Sequence, residues 1–338
     1  MTAGAAAILG VEGLALSSAE RSFFAEAQPL GFILFARNIE TPEQVRRLTA
    51  ELRTAVGRNA PVLIDQEGGR VQRMRPPYWR LWHPSLDQMQ AATDLEAAAR
   101  AMFLRYRLIA DELRAVGIDV NCAPSADLAR PDTHPFLRNR CMGEDAASVV
   151  TGARAAAEGL LAGGVLPVLK HIPGHGRAQI DSHLELPVVE ASANMLRETD
   201  FAPFVALADL PAAMTAHLKY NAIDPDRPAT QSPDVIRLIR EDIGFGGLLM
   251  TDDLSMEALS GDIAMRAAAS ISAGCDVVLH CNGVLAEMEQ AVSAAGGLAA
   301  QAKDRADAWV ELRRASDPVD IPAAEAELER LLEGRVYG

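Results

Sequence analysis

Three of the chain's seven histidines fall within thirteen residues, in Lys170-His171-Ile172-Pro173-Gly174-His175-Gly176 and the Asp181-Ser182-His183 that follows. Imidazole titrates near neutrality, so histidines gathered beside a carboxylate and a lysine can move protons, bind polar substrate groups or hold a metal. His171, His175 and His183 with Asp181 could supply nitrogen and oxygen ligands, although their spacing fits no common zinc pattern. A second segment, Asp65-Gln66-Glu67-Gly68-Gly69-Arg70-Val71-Gln72-Arg73, joins two acids and two arginines around a glycine pair. Carboxylate beside guanidinium suits the binding of sugar hydroxyls or anions, and the glycines let backbone approach a ligand closely or adopt positive φ. A third ends an apolar run in Asp252-Asp253. An aspartate there is not ionised cheaply unless something compensates it. Adjacent side chains point in different directions, so one of the pair faces a ligand while the other caps or orients, and Asp252 is read as the ligand-facing one. Arg140 and His217 stand within reach of the same region, and Tyr78, Trp79 and Trp82 form either a packed lid or a sugar-stacking surface.

These groups need elements to position them. Short runs at 7–11, 31–35, 62–65, 118–122, 166–170, 212–216, 247–251 and 276–280 are mostly apolar on both faces and bounded by Gly, Pro or polar residues. That is the signature of parallel strands buried on both sides. Amphipathic segments separate them. Thr41-Pro42-Glu43-Gln44 starts one helix, with Val45, Leu48, Leu52 and Val56 along one face and Gly57 as its stop; Ser232-Pro233 opens another. Segments 95–116, 145–161, 193–207, 256–273 and 284–295 are of the same kind. Eight such alternations predict an α/β fold, a (β/α)8 TIM-type barrel in a single domain over 1–338. The barrel core covers about 7–300, with helices at about 303–335 packed outside. A doubly wound open sheet is the alternative, but no G-x-G-x-x-G follows the first run. In a barrel the chemistry lies at the C-terminal ends of the strands, which is where the polar segments fall.

The 338 residues are 49% hydrophobic and 23% charged, enough for a sizeable core. Against 32 Lys and Arg stand 46 Asp and Glu, a net charge of −14. That balance argues against nucleic acid and anionic membrane as partners and leaves a soluble small ligand. Cys122, Cys141, Cys275 and Cys281 make no C-x-x-C pair, so neither a disulfide scaffold nor a structural zinc is expected. The apolar N-terminus lacks a basic n-region and is interrupted by Glu12, and no apolar run of about 18 residues occurs. A cytoplasmic protein, monomeric or weakly dimeric, is expected.

Taken in order, DQEGGRVQR (65–73), KHIPGHG (170–176), DSH (181–183) and TDDLSM (251–256) resemble glycoside hydrolase family 3. More narrowly, they resemble its single-domain bacterial β-N-acetylhexosaminidases of peptidoglycan recycling. The resemblance runs from about residue 7 to residue 281, and the second domain of many β-glucosidases of the family is expected to be absent. It implies a retaining exo-β-N-acetylglucosaminidase that needs no cofactor. Such an enzyme removes non-reducing terminal N-acetylglucosamine from peptidoglycan fragments (GlcNAc-anhydro-MurNAc and muropeptides). Asp252 would be the nucleophile, and His183 the general acid and base, with Asp181 holding its imidazole. Asp65, Arg73, Arg140, Lys170 and His171 would bind sugar hydroxyls. The chain departs from the family pattern at Arg177-Ala178, where Asp-Thr is frequent, and at Cys141-Met142, where Ser-Phe is usual. The other readings are a metal-dependent barrel hydrolase using His171, His175 and His183, and a non-catalytic sugar sensor.

Overall fold

The computed structural model describes residues 4–180, 182 and 185–337. Each of the eight apolar runs forms a strand: β1 (Ala5–Leu9), β2 (Pro29–Leu34), β3 (Val62–Ile64), β4 (Val120–Asn121), β5 in two halves (Leu166–Pro167 and Leu169–Ile172), β6 (Ala212–Thr215), β7 (Leu248–Asp253) and β8 (Val277–His280). Every neighbouring pair is parallel. β4 pairs with the first half of β5 through Val120↔Leu166, and the second half pairs with β6 through Met214↔Lys170. β8 returns to β1 through Ala7↔Val278, so the sheet closes into a ring and the open doubly wound alternative is excluded. Alanine-rich β6 is a strand because β5 and β7 flank it on both sides.

Helices follow the strands, and their starts come from local chemistry. Thr41 accepts the Gln44 N–H at 3.2 Å and Pro42 opens the helix Pro42–Ala55. The Gln44 side chain reaches past the cap, accepting the Glu40 N–H and donating to Leu14 and Asn38 carbonyls, which ties the helix to the loop after β1. Ser232 caps Pro233–Glu241 from the Val235 N–H and donates to Asp224 at 2.6 Å. Two expected helices are shorter than the apolar spacing predicts. The 256–273 segment is helical only over Ile263–Ala273, because Gly261 takes φ +84° and Asp262 starts a new N-cap. The 193–207 segment breaks into Ala193–Glu198 and Ala202–Ala206, where buried Asp200 turns to receive Arg130 and Arg177. Among the described residues no helix is long and apolar enough to cross a membrane.

The ring is filled by Ile8, Leu63, Val120, Val168, Met250 and their neighbours, and helix Ala300–Glu311 adds Ala306, Trp309 and Val310 to the same cluster. This helix lies at the N-terminal ends of the strands. Arg305 meets Asp276 just before β8 at 2.8 Å, and Arg313 meets Asp119 just before β4 at 2.9 Å. The floor is therefore sealed, and the opposite face carries the polar strand ends.

Candidate active site

The chain leaves β3 at Asp65 and doubles back through a short antiparallel hairpin, Gln66–Gly68 against Val71–Gln72. Gly68 (φ +100°) and Gly69 (φ +55°) make the turn. Of the two reasons expected for the pair, positive φ is the one seen, and packing adds to it: a Cβ on Gly68 would sit 2.8 Å from the His83 carbonyl oxygen and 2.9 Å from the Trp82 Cβ. The hairpin lays Arg73 over its own start, so that its Nη2 donates to Asp65 Oδ2 at 3.0 Å. From β5, Lys170 donates to Asp65 Oδ1 at 2.9 Å and meets Glu67 Oε1 at 2.6 Å. Arg140 grips both oxygens of Glu67, at 2.9 and 3.0 Å. The result is a continuous line of alternating charge, Arg73–Asp65–Lys170–Glu67–Arg140. Burial by itself would raise Asp65 and Glu67, but the cations outweigh it. Lys170 and Arg73 hold Asp65 well below the carboxylate range, and Arg140 and Lys170 bring Glu67 to about 2. Burial opposes the charge on Lys170 too, and Asp65 and Glu67 overcome it to push Lys170 upward.

His171 continues the line. Its Nε2 lies 3.3 Å from Arg140 Nη2, and its Nδ1 lies 2.7 Å from Asp127 Oδ2. Asp127 also accepts the His175 N–H at 2.7 Å and the Ser125 hydroxyl at 3.1 Å. His175 itself sits behind, in T-shaped contact with the His171 ring; burial, then the neighbouring imidazole, depress it to about 4.

Across the mouth, β7 ends in the two aspartates. Asp252 accepts the Asp253 N–H on Oδ1 at 2.8 Å, and its Oδ2 has no hydrogen-bond partner among the described residues. Burial would raise Asp252, yet the facing His217 and His171 rings, the Asp253 N–H and Lys170 together hold the carboxyl below its ordinary value. Asp253 is turned to the backbone, where it accepts the N–H groups of Ser255 and Cys281 and the Ser255 hydroxyl at 2.6 Å. His217 is buried, with Nδ1 2.7 Å from the Thr230 hydroxyl and Nε2 donating to the Asp253 carbonyl at 3.0 Å, so it supports the end of β7.

Asp65, Arg73, Arg140, Lys170, His171 and Asp252 all line one cavity of about 450 Å³ at the C-terminal ends of the strands, with Ile33, Met214 and Leu279 beneath. Asp181 and His183 lie outside the described residues. Just before them, Arg177 Nε donates to Asp200 at 2.7 Å, and the Ala178 N–H bonds the His175 carbonyl. Cys141 and Met142 are buried and do not line the cavity. Among the described residues no three His, Cys, Asp or Glu side chains converge as metal ligands would, and the third histidine of that alternative, His183, is outside them. Trp82 packs beneath Arg105 and against Tyr337, and Trp79 is buried, so neither tryptophan offers the cavity a stacking face.

The description "Glycosyl hydrolase family 3 N terminal domain" fits residues 6–310. The chain belongs to glycoside hydrolase family 3. A beta-hexosaminidase of Alkalilimnicola ehrlichii is 42% identical over 284 residues, 81% of this chain and 80% of that one. The NagZ structure from Neisseria gonorrhoeae superimposes with a TM-score of 0.85 at 30% identity, over 98% of both chains. A family 3 beta-N-acetylglucosaminidase from Paenibacillus sp. gives 0.85 at 29% identity, over 96% of this chain and 66% of that one. This family 3 hydrolase is a β-N-acetylhexosaminidase, releasing N-acetylglucosamine.

In this hydrolase two buried acids stand in the site without having been singled out. Glu67 was legible: it follows Asp65 by two, and alternate residues of an extended segment share a face. Asp127 gave a weaker signal, a lone carboxylate within the apolar stretch 122–129.

Proposed function

We propose that the chain is a retaining exo-β-N-acetylglucosaminidase of peptidoglycan fragments, cleaving GlcNAc-anhydro-MurNAc and muropeptides in the cytoplasm, and working as a single barrel domain without a cofactor. The observation that carries this reading is the pairing of an ionised Asp252, one oxygen unengaged by described residues, with a cavity closed below and walled by charged hydrogen-bonding groups. A closed end admits only the terminal sugar of a chain. Asp65, Arg73, Arg140, Lys170 and His171 offer it donors and acceptors whose charges are already mutually compensated.

In the first step an Asp252 oxygen donates its electron pair to the anomeric carbon. The bond from that carbon to the leaving oxygen breaks, and the leaving oxygen takes a proton from His183. In the second step neutral His183 removes a proton from water, water oxygen attacks the same carbon, and Asp252 leaves as carboxylate. Two inversions retain configuration. Asp181 holds the imidazole and stabilises its cation, as a carboxylate does in other dyads.

The test is hydrolysis of an aryl β-N-acetylglucosaminide by the wild type and by Asp252→Asn, each with and without EDTA, followed by muropeptides. Turnover insensitive to chelator, with kcat lower by about three orders of magnitude in the variant, is expected. Loss of turnover in EDTA would replace this reading with the metal-dependent one, and folded protein with no turnover would leave the sugar sensor.

A further inference from the structure

The line of charge in the mouth ends on a carboxylate that never reaches the cavity. Asp127 is fully buried, and its oxygens accept the His171 Nδ1–H at 2.7 Å, the His175 N–H at 2.7 Å, the His171 N–H at 3.3 Å and the Ser125 hydroxyl. On the far side of the imidazole, Arg140 Nη2 approaches Nε2 at 3.3 Å. A guanidinium has only N–H groups to offer and keeps its proton, while a carboxylate can only accept. Together they leave the ring one arrangement, with hydrogen on Nδ1 and a lone pair on Nε2. The opposite tautomer would set two N–H groups head to head at Arg140 and press a nitrogen lone pair on the carboxylate. A doubly protonated ring keeps the Asp127 contact but still collides with Arg140, which Glu67 holds in place by both of its oxygens.

We propose that Asp127 is a positioning residue: it fixes His171 as the Nδ1–H tautomer, so that Nε2 accepts from Arg140 and the ring braces the guanidinium that faces the bound sugar. The proposal rests on the sugar-binding place given to Arg140 above. Asp127 touches no substrate, and its effect on binding passes through the ring. The two donors it takes from the 171–175 backbone set the direction in which that ring leaves β5.

The test is a double-mutant cycle of Asp127→Asn and His171→Asn with the aryl glycoside, together with the 15N spectrum of the histidine rings. Asparagine replaces one acceptor oxygen with an NH2 group, which confronts either the ring or a backbone N–H. Asp127→Asn is expected to lower kcat/KM by about 10- to 100-fold, the range seen when the partner orienting a ligating histidine is removed. In the His171→Asn background the same change is expected to shift kcat/KM by no more than about twofold, because the ring it acts through is gone. A merely structural Asp127 would lower activity again in that background, and additive losses would overturn the proposal. In the wild type the His171 signal, assigned by its disappearance in His171→Asn, is expected to show hydrogen on Nδ1. Hydrogen on Nε2 would overturn the proposal even if Asp127→Asn fails to fold. Absence of turnover in the wild type would instead count against the glycosidase mechanism, and the tautomer would still be read from the spectrum.

Discussion

Lys170 is a fully buried cation and Arg140 a mostly buried one; two carboxylates replace much of their hydration, and they share one of them. Glu67 gives Arg140 both oxygens and Lys170 one, so its removal leaves Arg140 without a carboxylate and Lys170 with Asp65 alone. Breaking a buried pair from one side leaves uncompensated charge, and Glu67→Gln is expected to cost roughly 3–5 kcal/mol in urea unfolding. The pH dependence follows from the direction of the shift. Glu67 titrates at about 2 in the folded chain against an ordinary 4.5, so the unfolded chain binds the proton first as pH falls. Its stabilisation is complete above the unfolded value and is lost as pH drops towards about 2. Urea midpoints of the wild type and Glu67→Gln should therefore converge on acidification across that window. A gap that stayed constant would show that Glu67 is not held ionised by its neighbours.

Among the elements, the floor helix bears on stability without bearing on chemistry. Trp309 of Ala300–Glu311 is buried with the ring's interior side chains, at the end of the barrel opposite Asp252. Trp309→Ala is expected to lower stability by about 3–5 kcal/mol while the folded fraction keeps its kcat, as urea titration and active-site-normalised turnover would show. The strands were readable because burial on both faces leaves short apolar runs between breakers, and helix starts such as Thr41-Pro42 and Ser232-Pro233 carry their caps in sequence. Helix extent was less so. Leu254, Met256 and Leu259 are buried and mimic a helical stripe, yet they belong to a loop that ends at Gly261. Asp65, Lys170 and Asp252 could be placed because each stands at the end of an apolar run. Asp127 could not, because it lies in the segment after β4 and its partner His171 is 44 residues away on β5, so no local period links them. What the Arg177-Ala178 departure does could not be read either: Arg177 closes on Asp200, 23 residues on, across the helix break.

At the scale of the molecule, the two ends of the barrel divide the labour of charge. At the floor, Arg53 and Arg313 meet Asp119 while Arg240 and Arg305 meet Asp276, each aspartate standing just before a strand. At the mouth the ion pairs face the cavity and remain available to a ligand. The mouth draws on both halves of the chain: Asp65 follows β3, Arg140 follows β4, Lys170 and His171 lie on β5, and Asp252 lies on β7.

The ring closes through a single pairing between distant parts of the chain, Ala7 with Val278 and Leu9 with His280. Every other strand pair of the ring joins segments that follow one another, and contacts between distant segments form slowly because the entropy of the intervening loop is lost first. Asp253, whose orientation leaves its neighbour facing the cavity, takes the N–H of Cys281, the residue just beyond β8. After dilution from urea, helical circular dichroism is expected to recover ahead of turnover. Simultaneous recovery would mean that closure is not the late event. For a chain being made on the ribosome, the sugar site stays unformed until the last strand has emerged, so a nascent chain halted before residue 281 would carry most of the barrel and no hydrolase.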